Sequence, residues 1–248
     1  MEAFLLAAGL GTRLRPLTND RPKALVEVDG RTLLEINIAK LTALGATRIV
    51  VNIHHFADKM VHFIANHDWD TEICISDERG LLLDTGGALK KASNMFSHTQ
   101  PILIHNVDIL AQFDWSSFYA KHMESGTLAT LAVSERSTSR LLMTDEKGLL
   151  RGWHNNSTGE YIVVNSDAGT KTAYRQLAFS GITLIEPKLL DLLPEASRPY
   201  PIIPEYLRLA KSHRINTFEH NPSDWLDVGK PETLAQATQF LQKMNQTS

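Results

Sequence analysis

A chain of 248 residues, 43% of them hydrophobic, is long enough to bury a full core as one large α/β domain. With 25 Lys+Arg against 28 Asp+Glu its net charge is −3, so neither a nucleic acid nor an anionic membrane finds a global attraction. The start shows no basic, apolar and cleavable leader, and no apolar run approaches the roughly 20 residues of a membrane span, so a cytoplasmic protein is expected.

The chain opens on an apolar run, Phe4-Leu5-Leu6-Ala7-Ala8, that turns abruptly into Gly9, Gly11 and Thr12 and then into the basic residues Arg13, Arg15 and Lys23. A buried strand delivers a loop to a phosphate in this way: glycines leave backbone N–H groups open to an anion, and the cations supply charge. Residues 30–45 carry apolar side chains at helical spacing and end on a glycine, 47–53 form a β-branched run, and 56–64 return to a helical period. Residues 72–76 read as a strand around Cys74. A single cysteine excludes an internal disulfide framework and a multi-cysteine metal centre, and here it is expected to be buried and inert. Strands alternating with helices imply a largely parallel sheet covered on both faces, with the ligand at the strands' carboxyl ends.

Asp84-Thr85-Gly86-Gly87 precedes a helix over 88–96, with the acid and threonine placed to cap it and the glycines to admit a planar group; a plain helix start explains them as well. Residues 101–108 form a buried strand whose Asn106 and Asp108 arrive only at its carboxyl end, where active-site groups of such sheets belong. His105 is expected to be a packed neutral ring. A helix over 115–123 and a strand over 127–135 follow. Between 140 and 176, short apolar runs broken by Lys147-Gly148, Asn155-Asn156, Thr158-Gly159 and Asp167-Ala168-Gly169 predict antiparallel hairpins over the sheet's edge, forming the acceptor side of a pocket. Residues 177–185 return to a core strand, in which Gly181 marks either a bulge or a close approach. Helices over 187–193 and 204–211, a strand over 214–219 and a helix over 232–244 complete the chain. Before that helix, Asp227-Val228-Gly229 puts a carboxylate at a sharp backbone feature, either a capping acid or a ligand.

Spacing removes several familiar sites. The third glycine of a dinucleotide-binding Gly-x-Gly-x-x-Gly falls on Leu14, and no P-loop, His-Glu-x-x-His or Gly-x-Ser-x-Gly occurs. Leu6-Ala7-Ala8-Gly9-x-Gly11-Thr12-Arg13-Leu14-x-Pro16-Leu17-Thr18 with Pro22-Lys23 instead resembles the signature of the sugar-1-phosphate nucleotidylyltransferases. Asp84-Thr85-Gly86-Gly87, Phe179-Ser180-Gly181-Ile182 and Trp225-Leu226-Asp227-Val228-Gly229 follow in that family's order and approximate spacing.

The resemblance implies a single Rossmann-like three-layer α/β/α nucleotidyltransferase domain, with a mainly parallel mixed sheet and a small antiparallel hairpin region over the sugar site. Residues 1–135 would serve the nucleotide, 136–230 the sugar phosphate, and 231–248 would form the last helix. It implies a Mg²⁺-dependent enzyme that joins a nucleoside triphosphate to a sugar 1-phosphate and releases pyrophosphate. UTP with N-acetylmuramate 1-phosphate, a sugar of bacterial cell-wall recycling, is the expected pair. GTP with mannose or heptose 1-phosphate is the alternative, and a non-catalytic nucleotide-binding regulator a further one. A monomer or small homo-oligomer is expected, with no nucleic-acid or membrane partner.

By the same resemblance Arg13 and Lys23 are the catalytic cations. Leu6, Ala7, Gly9, Gly11, Thr12, Arg13, Lys23, Glu78, Gly86 and Gly87 would bind the nucleotide, Asn106, Ser180 and Gly181 the ribose or sugar, and Asp108 and Asp227 the metal. The chemistry needs such a set, because two anions must be brought together and charge growing on pyrophosphate neutralised. This sequence departs from the family pattern twice. Val107 stands where relatives usually carry glycine, and the common Glu-Lys-Pro segment is not evident within 151–170, which leaves Lys171 and Arg175 as candidates for the sugar phosphate.

Overall fold

The first strand, β1 (Glu2–Leu6), sends Ala3 and Leu5 into one apolar core and Phe4 into another. A strand buried on both faces needs apolar residues at every position, which is why it reads as a continuous run. The two cores lie on opposite faces of one sheet, and a computed structural model describes residues 1–164 and 174–246 of the chain that forms it. Lys171 and the turn at Asp167-Ala168-Gly169 lie outside the described residues.

After β1 come a small hairpin, β2 (Glu27–Val28) and β3 (Arg31–Thr32), then α1 (Leu33–Ala43), β4 (Arg48–Ile53), α2 (Ala57–Ala65), β5 (Glu72–Asp77) and α3 (Asp84–Lys91). The middle of the chain adds β6 (Ile102–Asn106), β7 (Ile109–Ala111), α4 (Trp115–Glu124), β8 (Ala129–Ser134), β9 (Arg140–Thr144), β10 (Leu150–Asn155) and β11 (Tyr161–Val163). It ends with β12 (Arg175–Ile185), α5 (Lys188–Leu192), α6 (Ile202–Leu209), β13 (Ile215–Glu219), β14 (Trp225–Asp227) and α7 (Pro231–Gln246). Helices α1, α2, α4 and α7 supply buried residues to one core, and α3, α5 and α6 to the other, which gives the expected three layers.

Local chemistry sets the helix starts. Thr32 accepts from the backbone of Glu35 while Glu35 reaches back to the backbone of Thr32 at 2.7 Å, so α1 begins on a reciprocal cap. Asp114 caps α4 by accepting from Ser117. At α3 the expected caps are not made. Thr85 Oγ1 instead accepts the N–H of Ile202, and no side chain caps the helix.

Among the described residues the main sheet has ten strands, running β11-β10-β9-β12-β6-β1-β4-β5, with β8 beside β12 and β13 beside β8. Strands β5, β4, β1 and β6 are mutually parallel, and β12 joins β6 antiparallel. The hairpins of β9, β10 and β11 continue the sheet past the first residues of β12, so they extend its edge in plane. Gly181, at φ 74°, sits where the pairing of β12 with β8 shifts register, which makes it a bulge. Cys74 is half-buried rather than enclosed, because β5 is the last strand of its edge; burial still pushes its thiol up. The arrangement fixes the site: parallel partners flank β1 on both sides, β4 after a crossover helix and β6 from later in the chain. The order reverses there, and a crevice opens at its carboxyl end.

Candidate active site

A cleft of about 390 Å³ opens at that reversal, lined by Leu6, Ala8, Gly9, Lys23, Asn52, Glu78, Leu82, Asp84, Thr85, Asn106, Asp108 and Pro199. Strand ends from β1, β4 and β6 contribute Leu6, Asn52 and Asn106 at one level, because their register pairs Leu6 with both of the others.

Asn52 has a role that sequence reasoning missed. Its Oδ1 accepts the N–H groups of Ala7 and Ala8 at 2.7 and 3.2 Å, and its Nδ2 donates to Glu78 Oε1 at 2.8 Å. Glu78 Oε2 in turn accepts the N–H of Leu83 at 3.0 Å. The carboxylate, expected to touch a nucleotide, is fully buried and acts as the brace of the residue that holds the glycine loop. Burial is the largest influence on Glu78 and holds its carboxyl above the ordinary value. Both of its oxygens face donors, so an amide would set donor against donor. Glu78→Gln is therefore expected to lower the unfolding free energy by about 1–3 kcal/mol, read from urea titrations. An unchanged midpoint would show that the brace is dispensable.

The loop itself turns on Gly11, at φ 62° a left-handed residue, whose missing Cβ would stand 3.0 Å from Lys23 Cβ and 3.1 Å from Thr18 Cγ2. Its carbonyl accepts from the Thr18 hydroxyl at 2.9 Å and from the N–H of Leu14, which starts the short 3₁₀ turn Thr12–Leu14. Thr12 and Arg13 are left at the surface. A second 3₁₀ turn, Lys23–Leu25, buries Ala24 and Leu25 and so aims Lys23 inward. Its Nζ lies 2.7 Å from Asp108 Oδ2, with the two side chains only 14% and 9% exposed.

Asp227 reaches this group through a sheet too short to announce itself. β14 pairs antiparallel with β7, setting Asp227 opposite Ile109, and the N–H of Val228 donates to the carbonyl of Asp108 at 2.8 Å. Arg13 Nη2 stands 3.8 Å from Asp227 Oδ2. A Cβ on Gly229 would lie 2.6 Å from Asp227 Oδ1, 2.7 Å from Arg13 Nη2 and 3.2 Å from Asp108 Oδ2, so one small gap collects both carboxylates and the arginine. Among the described residues no three His, Cys, Asp or Glu side chains gather to hold a metal unaided. Two convergent carboxylates fit a hard cation whose other ligands are phosphate oxygens and water.

Other expected contacts are used differently. The N–H groups of Gly86 and Gly87 both donate to the carbonyl of Tyr200, at 2.9 and 3.2 Å, and a Cβ on Gly86 would lie 2.5 Å from the Tyr200 ring. These glycines admit a segment of the chain itself. Ser180 is fully buried, its hydroxyl 2.8 Å from His220 Nε2, whereas Asn106 lines the cleft. Gly181 packs against the Asn106 amide. Val107 points into the core, its N–H bonded to the carbonyl of Leu6 and its own carbonyl to Asn37, so it takes no space from the cleft. His105 is buried and burial pushes it down to about 4, the packed neutral ring expected. Arg175 is bound to Glu135 and Glu219.

Residues 2–140 match the model of a family described as Nucleotidyl transferase. The N-acetylmuramate alpha-1-phosphate uridylyltransferase of Caulobacter vibrioides is 33% identical over 93% of this chain and 92% of its own length. The protein of that name from Neisseria meningitidis is 26% identical over 92% and 93%. A mannose-1-phosphate guanyltransferase of Aspergillus oryzae is 26% identical over 96% of this chain, which spans 63% of that protein. Among solved structures, HddC from Yersinia pseudotuberculosis superposes with a TM-score of 0.73 at 20% identity, over 97% of this chain and 99% of that one. The inositol-1-phosphate CTP transferase of T. maritima superposes with a TM-score of 0.74 at 18% identity, over 98% and 95%; at such identities the likeness is one of fold.

Proposed function

The chain belongs to the nucleotidyl transferase family, and from that premise we propose that it is a sugar-1-phosphate nucleotidylyltransferase that joins UTP to N-acetylmuramate 1-phosphate. The observation that carries the reaction class is the convergence of Arg13, Lys23, Asp108 and Asp227 beside the cleft at the end of β1. A protein that only bound nucleotide would have no need of two cations and two carboxylates in one corner.

In the proposed reaction an oxygen of the sugar phosphate attacks the α-phosphorus, a new P–O bond forms, and the bond to the β-phosphate oxygen breaks to release pyrophosphate. The protein's work is positioning and charge neutralisation. Asn52, braced by Glu78, holds the glycine loop in shape, and the loop's cations meet the triphosphate. Lys23, which neutralises Asp108 in the free protein, offers its ammonium to the α-phosphate and the incoming acceptor. Arg13 takes charge growing on the leaving group. Asp108 and Asp227 would hold Mg²⁺, which when bound polarises the phosphate oxygens and offsets their mutual repulsion.

Support for the acceptor is the likeness to two proteins named for N-acetylmuramate 1-phosphate, each matched over more than nine-tenths of this chain. The mannose-1-phosphate guanyltransferases favour a second reading, GTP with mannose 1-phosphate. Pyrophosphate release from UTP, GTP, CTP and dTTP, each paired with a panel of sugar 1-phosphates, separates the two. UTP with N-acetylmuramate 1-phosphate is expected to give the highest kcat/KM. Binding of nucleotide with no release from any pair would point to a regulator.

A further inference from the structure

One cation beside the strand of Asp227 has no part in the machinery above. Arg136 follows β8 and lies over Trp225 with its guanidinium carbon 4.2 Å from the ring centre, on the strand that carries Asp227. Its Nη2 donates to the carbonyl of Phe179 at 2.5 Å, one residue before Ser180. The carbonyl of Ser180 accepts Trp225 Nε1 at 2.8 Å, so arginine, tryptophan and bulged strand form one rigid block.

The block leaves a charge unmatched. No carboxylate lies within ion-pair distance of Arg136 among the described residues, whereas Arg175 holds both Glu135 and Glu219. The Nε of Arg136 is shut off from water and has no acceptor. Burial pulls its pKa down, and the field of Asp227 is what opposes this. An under-paired, partly buried guanidinium costs free energy in the free protein; its Nη1, which has no acceptor and is not shut off from water, is the nitrogen that an oxyanion brought by a ligand can pair. Stacking also fixes the plane of the guanidinium, so little freedom is lost on meeting a planar or tetrahedral anion.

We propose that Arg136 grips an oxyanion of the acceptor, an inference that rests on the sugar-1-phosphate reading of the site. The oxyanion is either the acceptor's phosphate or a carboxylate carried on its sugar; both present the oxygen fork that a guanidinium matches.

The test compares wild type with Arg136→Met and Arg136→Lys, using N-acetylmuramate 1-phosphate and N-acetylglucosamine 1-phosphate, which lacks the carboxylate. KM is measured for each acceptor and for UTP, with Ki replacing KM where an acceptor is not turned over. In Arg136→Met the acceptor constants are expected to rise about 10- to 100-fold while KM for UTP stays within about twofold, and Arg136→Lys is expected to recover part of the loss. A rise for both acceptors assigns the grip to the phosphate; a rise for the carboxylated one alone assigns it to the carboxylate. Unchanged acceptor constants in Arg136→Met, with an active wild type, overturn this inference alone. An equal rise for UTP, with a lowered melting temperature, marks Arg136 as structural and overturns it too. A wild type silent with every nucleotide and acceptor pair overturns the proposed function and this inference with it.

Discussion

Replacing Lys23 with methionine is expected to lower kcat by about a thousandfold and to destabilise the fold by about 3 kcal/mol. Both effects follow from the 2.7 Å contact between its Nζ and Asp108 Oδ2, in a place where the two side chains are 14% and 9% exposed. Methionine keeps the packing of the stem but leaves Asp108 charged, largely dry and without its nearest cation. The charge must then be carried at a cost in folding free energy. Pairing the change with Asp108→Asn removes the stranded charge, so the double variant is expected to regain most of the stability and none of the rate. Urea unfolding and pyrophosphate release measure the two separately. A Lys23→Met protein that turns over at close to the wild-type rate would sink the assignment of Lys23 to the phosphates.

Of the two residues behind this prediction, Asp108 is legible in the sequence through periodicity, whereas Lys23 shows only as a cation after the glycine loop and takes its role from the family resemblance. β1 and β6 are buried on both faces, so they appear as apolar runs, and polar residues that break such a run at its carboxyl end must lie at the mouth of the sheet. Asp108 was found by that argument. Asn52 gives the same signal, a polar residue at the end of Ile49-Val50-Val51, but β4 carries no glycine loop of its own to mark it as part of a site. The pairing of β7 with β14 was hidden for a different reason. Three residues show no period, and their partners lie more than a hundred positions away in sequence, so nothing local joins Asp227 to Asp108.

Glycines leave the same question open at several positions. A missing side chain announces a close approach and does not say what approaches: at Gly86 it is the Tyr200 ring, at Gly87 the Leu83 side chain and the Arg198 carbonyl, and at Gly229 the charged groups of the site. The hairpins gave their strands correctly and hid their placement, because edge extension and edge cover ask for the same alternation. The sequence likewise offers Arg175 as a candidate for the acceptor phosphate without showing that Glu135 and Glu219 both hold it.

Asp227→Asn separates catalysis from folding more cleanly than any change at Lys23. The amide is the same size, and its oxygen can keep the 2.7 Å bond from the N–H of Gly229. The partner it loses is Arg13 at 3.8 Å, a pair with side chains 58% and 34% exposed, so the change in stability is expected to stay within about 0.5 kcal/mol. Its effect on turnover is expected to be large, about a thousandfold in kcat, with the Mg²⁺ needed for half-maximal rate raised about tenfold or more. The argument is one of local charge: a divalent ion is held by the negative oxygens next to it, and Asp227 would be one of only two carboxylates the protein offers it. Removing one acid weakens the hold on the cation and with it the cation's neutralisation of the phosphates. Were Asp227→Asn to keep more than about a tenth of the wild-type kcat, with an unshifted Mg²⁺ requirement, Asp108 alone would have to hold the metal, and the short β7–β14 pairing would be scaffolding rather than part of the site.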